Sequence, residues 1–239
     1  MGLLRKLLDW AFGPRSVPRK ENSSIVKKHI ATQNDSSPEI SQESSYQRRR
    51  AVGDRFEAEI MQRLDSICER YGGEAYRGIV IPYSGTTTEI DIVVALSQHI
   101  FVIECKNWAG TVYANYDQHD NWVRVRRDGV SDKFYSPVRQ NDNHMRALSE
   151  YLGIKSSSII SAIVFPDGTI LKKLPPVEPQ RFIGHVSELC QYFYGYGTSH
   201  HSTLPGLSMC KMRLEQAARR SEYNEAVHHR YMNQWNTQS

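Results

Sequence analysis

Residues 89–106, EIDIVVALSQHIFVIECK, contain two apolar runs that are separated by Ser97 and Gln98. Each run has the length and the β-branched composition of a strand, so the polar pair between them predicts a tight turn. If the hairpin is symmetric about that turn, facing residues have numbers that sum to 195, as Ser97 and Gln98 do. Most positions on both faces are apolar, which predicts a sheet that is covered on both sides.

The predicted hairpin brings two acidic residues and a lysine together. Its register places Asp91 opposite Glu104, and the two-residue period of a strand places Lys106 on the same face as Glu104. Facing carboxylates repel each other, and burial penalises their charges further. A hard divalent cation would offset both costs, because Mg²⁺ prefers oxygen ligands. The pattern therefore predicts a Mg²⁺ or Mn²⁺ site that hydrolyses phosphodiesters, with Lys106 orienting water or offsetting charge on a phosphate.

This short pattern also has a purely structural interpretation. Glu104 and Lys106 could form an ordinary ion pair at the edge of a sheet, with Asp91 as a turn residue. The geometric argument also depends on the register, because a slip of one residue would turn Asp91 to the opposite face.

The remaining elements predict an α/β fold in which a mixed central sheet is flanked by helices. A helix begins near Gly53 and ends at Gly72, and a second helix has Ser136 as its N-cap and ends at Gly153. Further strands are predicted at 78–83, 111–116, 122–126, 158–165 and 181–183, and further helices at 186–194 and 208–235. The last of these is a long C-terminal helix.

The chain divides into four predicted segments: 1–12, 13–50, 51–200 and 201–239. Apolar residues at helical spacing predict a short amphipathic helix over 2–12, which lies on an anionic membrane surface, docks on a partner, or packs on its own domain. Ser, Asn, Gln, Pro and Lys dominate 13–50, which predicts a flexible linker. The segment 51–200 is the predicted catalytic domain, and 201–239 is a helical extension.

Composition narrows the possible functions and compartments. The formal net charge of +4 is compatible with a polyanionic partner but does not by itself indicate one. Four cysteines without a C-x-x-C pair argue against zinc and against a disulfide framework, so the cytoplasm is the expected compartment, with peripheral membrane contact through 2–12 as an alternative. No apolar run reaches the roughly 18 residues of a membrane span. The absence of Walker, G-x-G-x-x-G and G-x-S-x-G motifs argues against ATP motors and serine hydrolases.

Residues 89–110, EIDIVVALSQHIFVIECKNWAG, resemble the core of the nuclease-related domain family, a branch of the PD-(D/E)xK nuclease superfamily. The matching motifs are the I-D before the first strand, the I-E-C-K that ends the second, and the Asn107…Gly110 tail. The likeness extends from Gly53 through the helix after Pro137. It implies a restriction-endonuclease-like fold, Asp91 and Glu104 as metal ligands, and a catalytic lysine at Lys106.

The resemblance also implies two outer site residues. An acidic residue on the first helix corresponds to Glu57, and a glutamine after the helix-opening proline corresponds to Gln140 in S-P-V-R-Q. The local sequence G-D-R-F-E-A-E departs from the usual G-E opening, which leaves Glu59 as a rival to Glu57. Structural alternatives remain for both: Glu57 could complement the helix dipole, and Gln140 could face solvent.

Aromatic and basic side chains follow the predicted site and allow two interpretations. They could stack on bases and contact phosphates, or they could form an ordinary half-exposed meander. The residues are Trp108, Tyr113, Tyr116, Trp122, Arg124, Arg126 and Arg127.

The expected function is a metal-dependent nuclease with DNA as its substrate. The alternatives are a nucleic-acid-binding module without turnover, and a membrane-surface or partner-docking protein that acts through residues 2–12. The sequence leaves open the substrate form, endo- or exonucleolytic cleavage, sequence preference and oligomeric state.

Overall fold

The computed structural model describes the backbone of residues 38–114, 121–197 and 203–236. Four α-helices are described, α1 (Pro38–Tyr71), α2 (Pro137–Leu152), α3 (Val186–Gly197) and α4 (Leu207–Asn236), together with a short 3-10 helix (Ser156–Ser158). The strands are β1 (Glu74–Tyr83), β2 (Thr86–Ala95), β3 (Ile100–Cys105), β4 (Thr111–Tyr113), β5 (Asn121–Val125), β6 (Ser131–Tyr135), β7 (Ile159–Phe165), β8 (Ile170–Lys172) and β9 (Arg181–His185). The predicted helix at 2–12 lies outside the described residues. Within the described parts, no helix is both long and apolar enough to span a membrane.

The strands form two mixed sheets. The five-stranded sheet has the order β1-β2-β3-β7-β9, in which β1, β2 and β3 are antiparallel and β3, β7 and β9 are parallel. The four-stranded sheet has the order β6-β5-β4-β8. Two mixed sheets flanked by helices, including the long C-terminal helix, confirm the predicted α/β class and are consistent with a restriction-endonuclease-like fold.

Helices cover both faces of the five-stranded sheet. On one face, α2 and α4 contribute buried residues such as Leu148 and Leu214 to the core around Val102. On the other face, α1 and α3 contribute residues such as Leu64 and Leu189. Burial on both sides explains why the strand sequences are nearly continuous apolar runs.

The β2–β3 hairpin has the predicted register. Ile92 pairs with Ile103 and Val93 with Val102, so the numbers of facing residues sum to 195. The turn is closed by a hydrogen bond that Leu96 N donates to His99 O, at 3.0 Å. The described backbone therefore places Asp91 and Glu104 at corresponding positions just beyond the last pair of the ladder.

One detail of the predicted hairpin is wrong. The regular alternation of a strand predicts Ile90 on the same face as Ile92, but Ile90 packs in the core that contains Val93. The facing β1 explains the change, because Gly78 has φ +61 and lies between the pairs Arg77↔Ile92 and Ile79↔Ile90. The side-chain alternation is therefore interrupted at Gly78 on β1 and at Asp91 on β2.

Helix α1 begins earlier than predicted. It starts at Pro38 rather than near Gly53, so residues 38–50 of the predicted linker are helical. Composition indicated that this stretch lacks a core of its own, but adding residues to an existing helix is much easier than starting one. The buried face that starts at Phe56 supplies that existing helix. The remaining segment boundaries stay predictions.

Two short strands, β6 and β8, were not predicted. The sequence of β6, SDKFY, lacks alternating apolar positions, and β8 has only three residues. Both obtain their partners from the second sheet, where β6 pairs with β5 and β8 with β4. Pairing with a neighbour, rather than their own composition, therefore accounts for these strands.

Candidate active site

Glu104 lies at the end of β3 and is almost completely buried, with 1% of its side chain exposed. Its Oε1 atom lies 2.5 Å from Lys106 Nζ, and its Oε2 atom lies 3.3 Å from His144 Nδ1 on α2. The carboxylate is thus held from the strand on one side and from the helix on the other.

Lys106 follows β3 and is held by its backbone and its side chain. Its N–H donates to Val164 O at 2.9 Å, which keeps the chain beside β7. Its ammonium group donates to Gln140 Oε1 at 3.1 Å in addition to contacting Glu104. The structure therefore brings Glu104, Lys106 and Gln140 together, with Gln140 on the site face of α2 rather than turned to solvent.

Asp91 bridges the two strands through its side chain. Its Oδ2 atom accepts a hydrogen bond from Cys105 N at 2.7 Å. This contact occurs where the β2 side-chain alternation is interrupted, opposite Gly78. Irregularities of this kind often redirect a side chain beside a functional site.

The pKa values of the two carboxylates are shifted in opposite directions. Burial raises the pKa of Asp91 well above its usual value, and the nearby charges of Glu104 and Glu57 raise it further. Burial would also raise the pKa of Glu104, but Lys106 and His144 outweigh that effect and lower it to about 2. Burial alone would lower the pKa of Lys106, yet Glu104 and Asp91 raise it, so the ammonium form is favoured.

Glu57 is closer to the site than its rival Glu59. Its carboxylate pairs with Arg77 Nε at 2.9 Å, and its charge contributes to the raised pKa of Asp91. Glu59 is exposed and pairs with Arg63 one helical turn away, at 3.1 Å. Of the two candidates, only Glu57 therefore acts electrostatically on the site, from its rim and in an ion pair with Arg77.

One protein-family model matches the part of the chain that carries the candidate site. A family model described as a nuclease-related domain matches residues 52–166. The matched segment, just under half of the chain, is therefore similar to that family. The match confirms the resemblance and its place within the PD-(D/E)xK superfamily. All five predicted site residues lie within the matched segment.

The chain is also similar to a curated protein. An uncharacterized protein of Bacillus anthracis is 27% identical over 115 residues, which are 47% of this chain and 51% of that protein. The chain therefore spans about half the length of this relative.

Two residues at the candidate site were missed from the sequence. His144 contacts Glu104, and Arg77 joins Glu57 at 2.9 Å and Asp54 at 2.8 Å. The spacing offered a signal for His144, because it lies four residues after Gln140 and so on the same helical face. Arg77 had no such signal, since its partners are on a different element.

The aromatic and basic residues after the site form a packed meander. Trp122 is 3% exposed and stacks on Phe165 with ring centroids 6.1 Å apart. Arg124 and Arg126 both contact Asp132, at 2.8 Å and 3.7 Å. These contacts favour the structural interpretation for Trp122, and Tyr116 lies outside the described residues.

Trp108 connects this meander to the site. The ring centroids of Trp108 and Phe134 are 4.4 Å apart, and Lys106 Nζ lies 5.8 Å from the Trp108 ring centroid. The indole thus forms one wall beside the ammonium group, at a distance compatible with a cation–π contact.

The donor set suits a hard divalent cation held partly by other oxygen ligands. Among the described residues no group of three or more His, Cys, Asp or Glu could enclose a metal. Mg²⁺ commonly uses one or two carboxylates and completes its shell with water and substrate phosphates. Glu104 Oε2 is buried, and His144 Nδ1, 3.3 Å away, is not aligned to donate a hydrogen bond to it. Asp91 and Glu104 therefore fit such an ion.

Proposed function

We propose that this nuclease-related domain is a phosphodiesterase that hydrolyses DNA with Mg²⁺ or Mn²⁺. The observation that carries the proposal is the contact of buried Glu104 with Lys106, which Gln140 also holds, at the strand end shared with Asp91. A purely structural ion pair would not require a second carboxylate there, because Asp91 is made less stable as an anion by burial and by Glu104.

Asp91 and Glu104 would hold the divalent cation. When bound, such an ion polarises a phosphoryl oxygen and lowers the pKa of water. A positive charge near both carboxylates would relieve their repulsion and favour the ionised form of Asp91.

Lys106 acts as a hydrogen-bond donor in this scheme. Its raised pKa favours the ammonium form, which cannot accept a proton from water but can stabilise negative charge on a phosphate. Gln140 Oε1 accepts one of its hydrogens and so restricts the direction of the ammonium group. Trp108 limits its movement on another side.

The outer residues shape the field around this centre. Glu57 adds negative charge near Asp91, and Arg77 neutralises part of it through their ion pair.

All four cysteines are free thiols, which supports a reducing compartment such as the cytoplasm.

The test is cleavage of supercoiled plasmid, linear duplex and single-stranded DNA with Mg²⁺ or Mn²⁺, compared with EDTA. Lys106→Ala is expected to lower the rate by about 100- to 1,000-fold, the usual effect of losing one transition-state donor. Lys211→Ala is the matched control, because Lys211 also pairs with a glutamate, Glu74 at 3.1 Å, but lies on α4. That variant should cleave at the wild-type rate.

Two results would contradict the proposal. Cleavage that persists in Lys106→Ala would reject the assigned mechanism. DNA binding without cleavage under any divalent metal would instead indicate a binding module.

A further inference from the structure

His144 is a buried histidine in direct contact with the proposed metal-binding carboxylate. Its side chain is 3% exposed, and its Nδ1 atom lies 3.3 Å from Glu104 Oε2. Lys106 occupies the opposite oxygen of the same carboxylate, at 2.5 Å. The two contacts together restrict rotation of the carboxylate about its terminal bond.

Helix α2 supplies contacts to both functional groups of the E-x-K motif. His144 contacts Glu104, and Gln140, four residues earlier, accepts a hydrogen bond from Lys106. Residues four apart lie on the same helical face, so one rotation of α2 aligns both contacts.

The same helix is fixed firmly to the strands beneath it. Asn141 is fully buried, and its Nδ2 atom donates to Val102 O at 3.0 Å and to Ser161 Oγ at 2.8 Å. These acceptors belong to β3 and β7, the strands that lead to Glu104 and support Lys106. The position of His144 relative to Glu104 is therefore determined by the framework rather than by a mobile surface chain.

We propose that His144 is a positioning residue that holds the Glu104 carboxylate in the orientation required for metal binding. The inference rests on the proposed function in its assignment of Glu104 as a ligand, but the contact itself does not. Residues that orient a metal ligand usually change metal affinity by about 10- to 100-fold when they are replaced.

The ring atom of His144 that contacts Glu104 determines which side chains could replace it. Nδ1 is the ring nitrogen nearer the backbone, and the amide nitrogen of asparagine can occupy a similar place. The amide of glutamine extends farther, toward the position of Nε2. Asparagine should therefore replace His144 better than glutamine, whereas leucine should not replace it.

The experiment measures Mn²⁺ affinity by electron paramagnetic resonance on the full chain without DNA. His144→Leu should weaken binding by about 10- to 100-fold, and His144→Asn should stay within a few-fold of the wild type. His185→Leu is the matched control, because His185 Nδ1 also contacts a glutamate, Glu188 Oε2 at 3.1 Å, away from Glu104. Wild-type affinity in His144→Leu, or equal losses in the Leu and Asn variants, would overturn the proposal.

A second measurement tests the contact between His144 and Glu104 in the absence of metal. In EDTA, the ¹⁵N resonances of the His144 ring, assigned by their loss in His144→Asn, should show a protonated Nδ1 that shifts in Glu104→Gln. An unshifted resonance would overturn the positioning contact. A shifted resonance in a chain that binds no Mn²⁺ would retain the contact and reject the metal-binding role, together with the metal-dependent function.

Discussion

At the scale of single residues, the site contains two acids whose pKa values shift in opposite directions, because their charged neighbours differ. Glu104 has Lys106 and His144 beside its oxygens, and its pKa is lowered to about 2. Asp91 receives a backbone N–H from Cys105 but faces the charges of Glu104 and Glu57, and its pKa is raised. The ionised form of Asp91 therefore destabilises the metal-free protein, whereas ionised Glu104 stabilises it.

Isosteric amides should reveal this difference. Asp91→Asn should increase the free energy of unfolding in EDTA at pH 7, because the amide keeps an acceptor for Cys105 N and removes the repelled charge. Glu104→Gln should decrease it by about 3–5 kcal/mol, the usual cost of leaving one member of a buried ion pair alone. Chemical denaturation measures both, and equal signs for the two variants would contradict the electrostatic account.

The pH dependence should separate the two acids further. The folded-state pKa of Glu104 is lowered, so its stabilising effect is present above its unfolded value of 4.5 and is lost as pH falls toward about 2. The folded-state pKa of Asp91 is raised, so the advantage of Asp91→Asn should grow as pH rises above 3.8. If the free energy of unfolding of each variant differs from that of the wild type by the same amount at every pH between 2 and 7, these pKa shifts are contradicted.

Glu57 and Glu59 provide a second comparison of single residues. Glu57→Gln should lower nuclease activity by about tenfold, because it changes the charge near Asp91 and removes one of the two carboxylates that pair with Arg77. Glu59→Gln should leave activity unchanged, because Glu59 pairs only with exposed Arg63 on the same helix in the described contacts. Initial rates on one DNA substrate give the comparison, and equal losses would remove the distinction.

At the scale of elements, the conformation of β1 affects the position of Asp91 on β2. Gly78 has φ +61, and a Cβ atom added there would meet no atom within 4 Å. The obstacle to substitution is therefore the backbone conformation and not a lack of space. An L-residue at this position favours an extended strand, which would restore the regular alternation opposite Asp91.

Gly78→Ala should lower the free energy of unfolding by about 1–2 kcal/mol and reduce metal affinity as Asp91 is displaced. Gly53→Ala is a matched control, since Gly53 is helical, has open space around it and lacks a positive φ. That change should stabilise the protein by up to about 1 kcal/mol. Denaturation and Mn²⁺ titration measure both quantities, and a Gly78→Ala protein with unchanged stability would exclude a required positive φ.

At the scale of the whole molecule, the four-stranded sheet packs against Trp108, the side chain beside Lys106. Phe134 on β6 packs against Trp108, and Arg124 on β5 lies 4.9 Å from the Phe134 ring. Asp132 holds both Arg124 and Arg126, so it neutralises part of the positive charge of this β5–β6 hairpin. A DNA substrate that reaches Lys106 would pass near these cations.

Asp132→Asn should therefore strengthen DNA binding and make it more dependent on salt, because Arg124 loses its ion pair at 2.8 Å and becomes available to phosphates, whereas Arg126 keeps Asp128 at 3.5 Å. Binding in EDTA at several salt concentrations separates this effect from cleavage. Glu215→Gln is the control, because Glu215 pairs with Arg219 on the distant α4. Equal effects of the two substitutions would indicate a general change in net charge rather than a contact with the hairpin.

The sequence by itself determined the local features of the site. The β2–β3 register follows from a tight turn between apolar runs, and the ends of α2 follow from Ser136 and Gly153. These features depend on interactions between residues that are near one another in the chain, so spacing and residue type were sufficient to predict them. The nuclease-related family could be inferred from the same short stretch.

Only the tertiary structure decided which distant groups complete the site. His144 reaches Glu104, Arg77 reaches Glu57, and Gly78 interrupts the alternation opposite Asp91. Each of these depends on how a helix or strand packs against another part of the chain, and many sequences of the same polarity pattern would pack differently. Residue patterns therefore indicated the chemistry of the strand end, whereas packing between elements determined the orientation of its carboxylates.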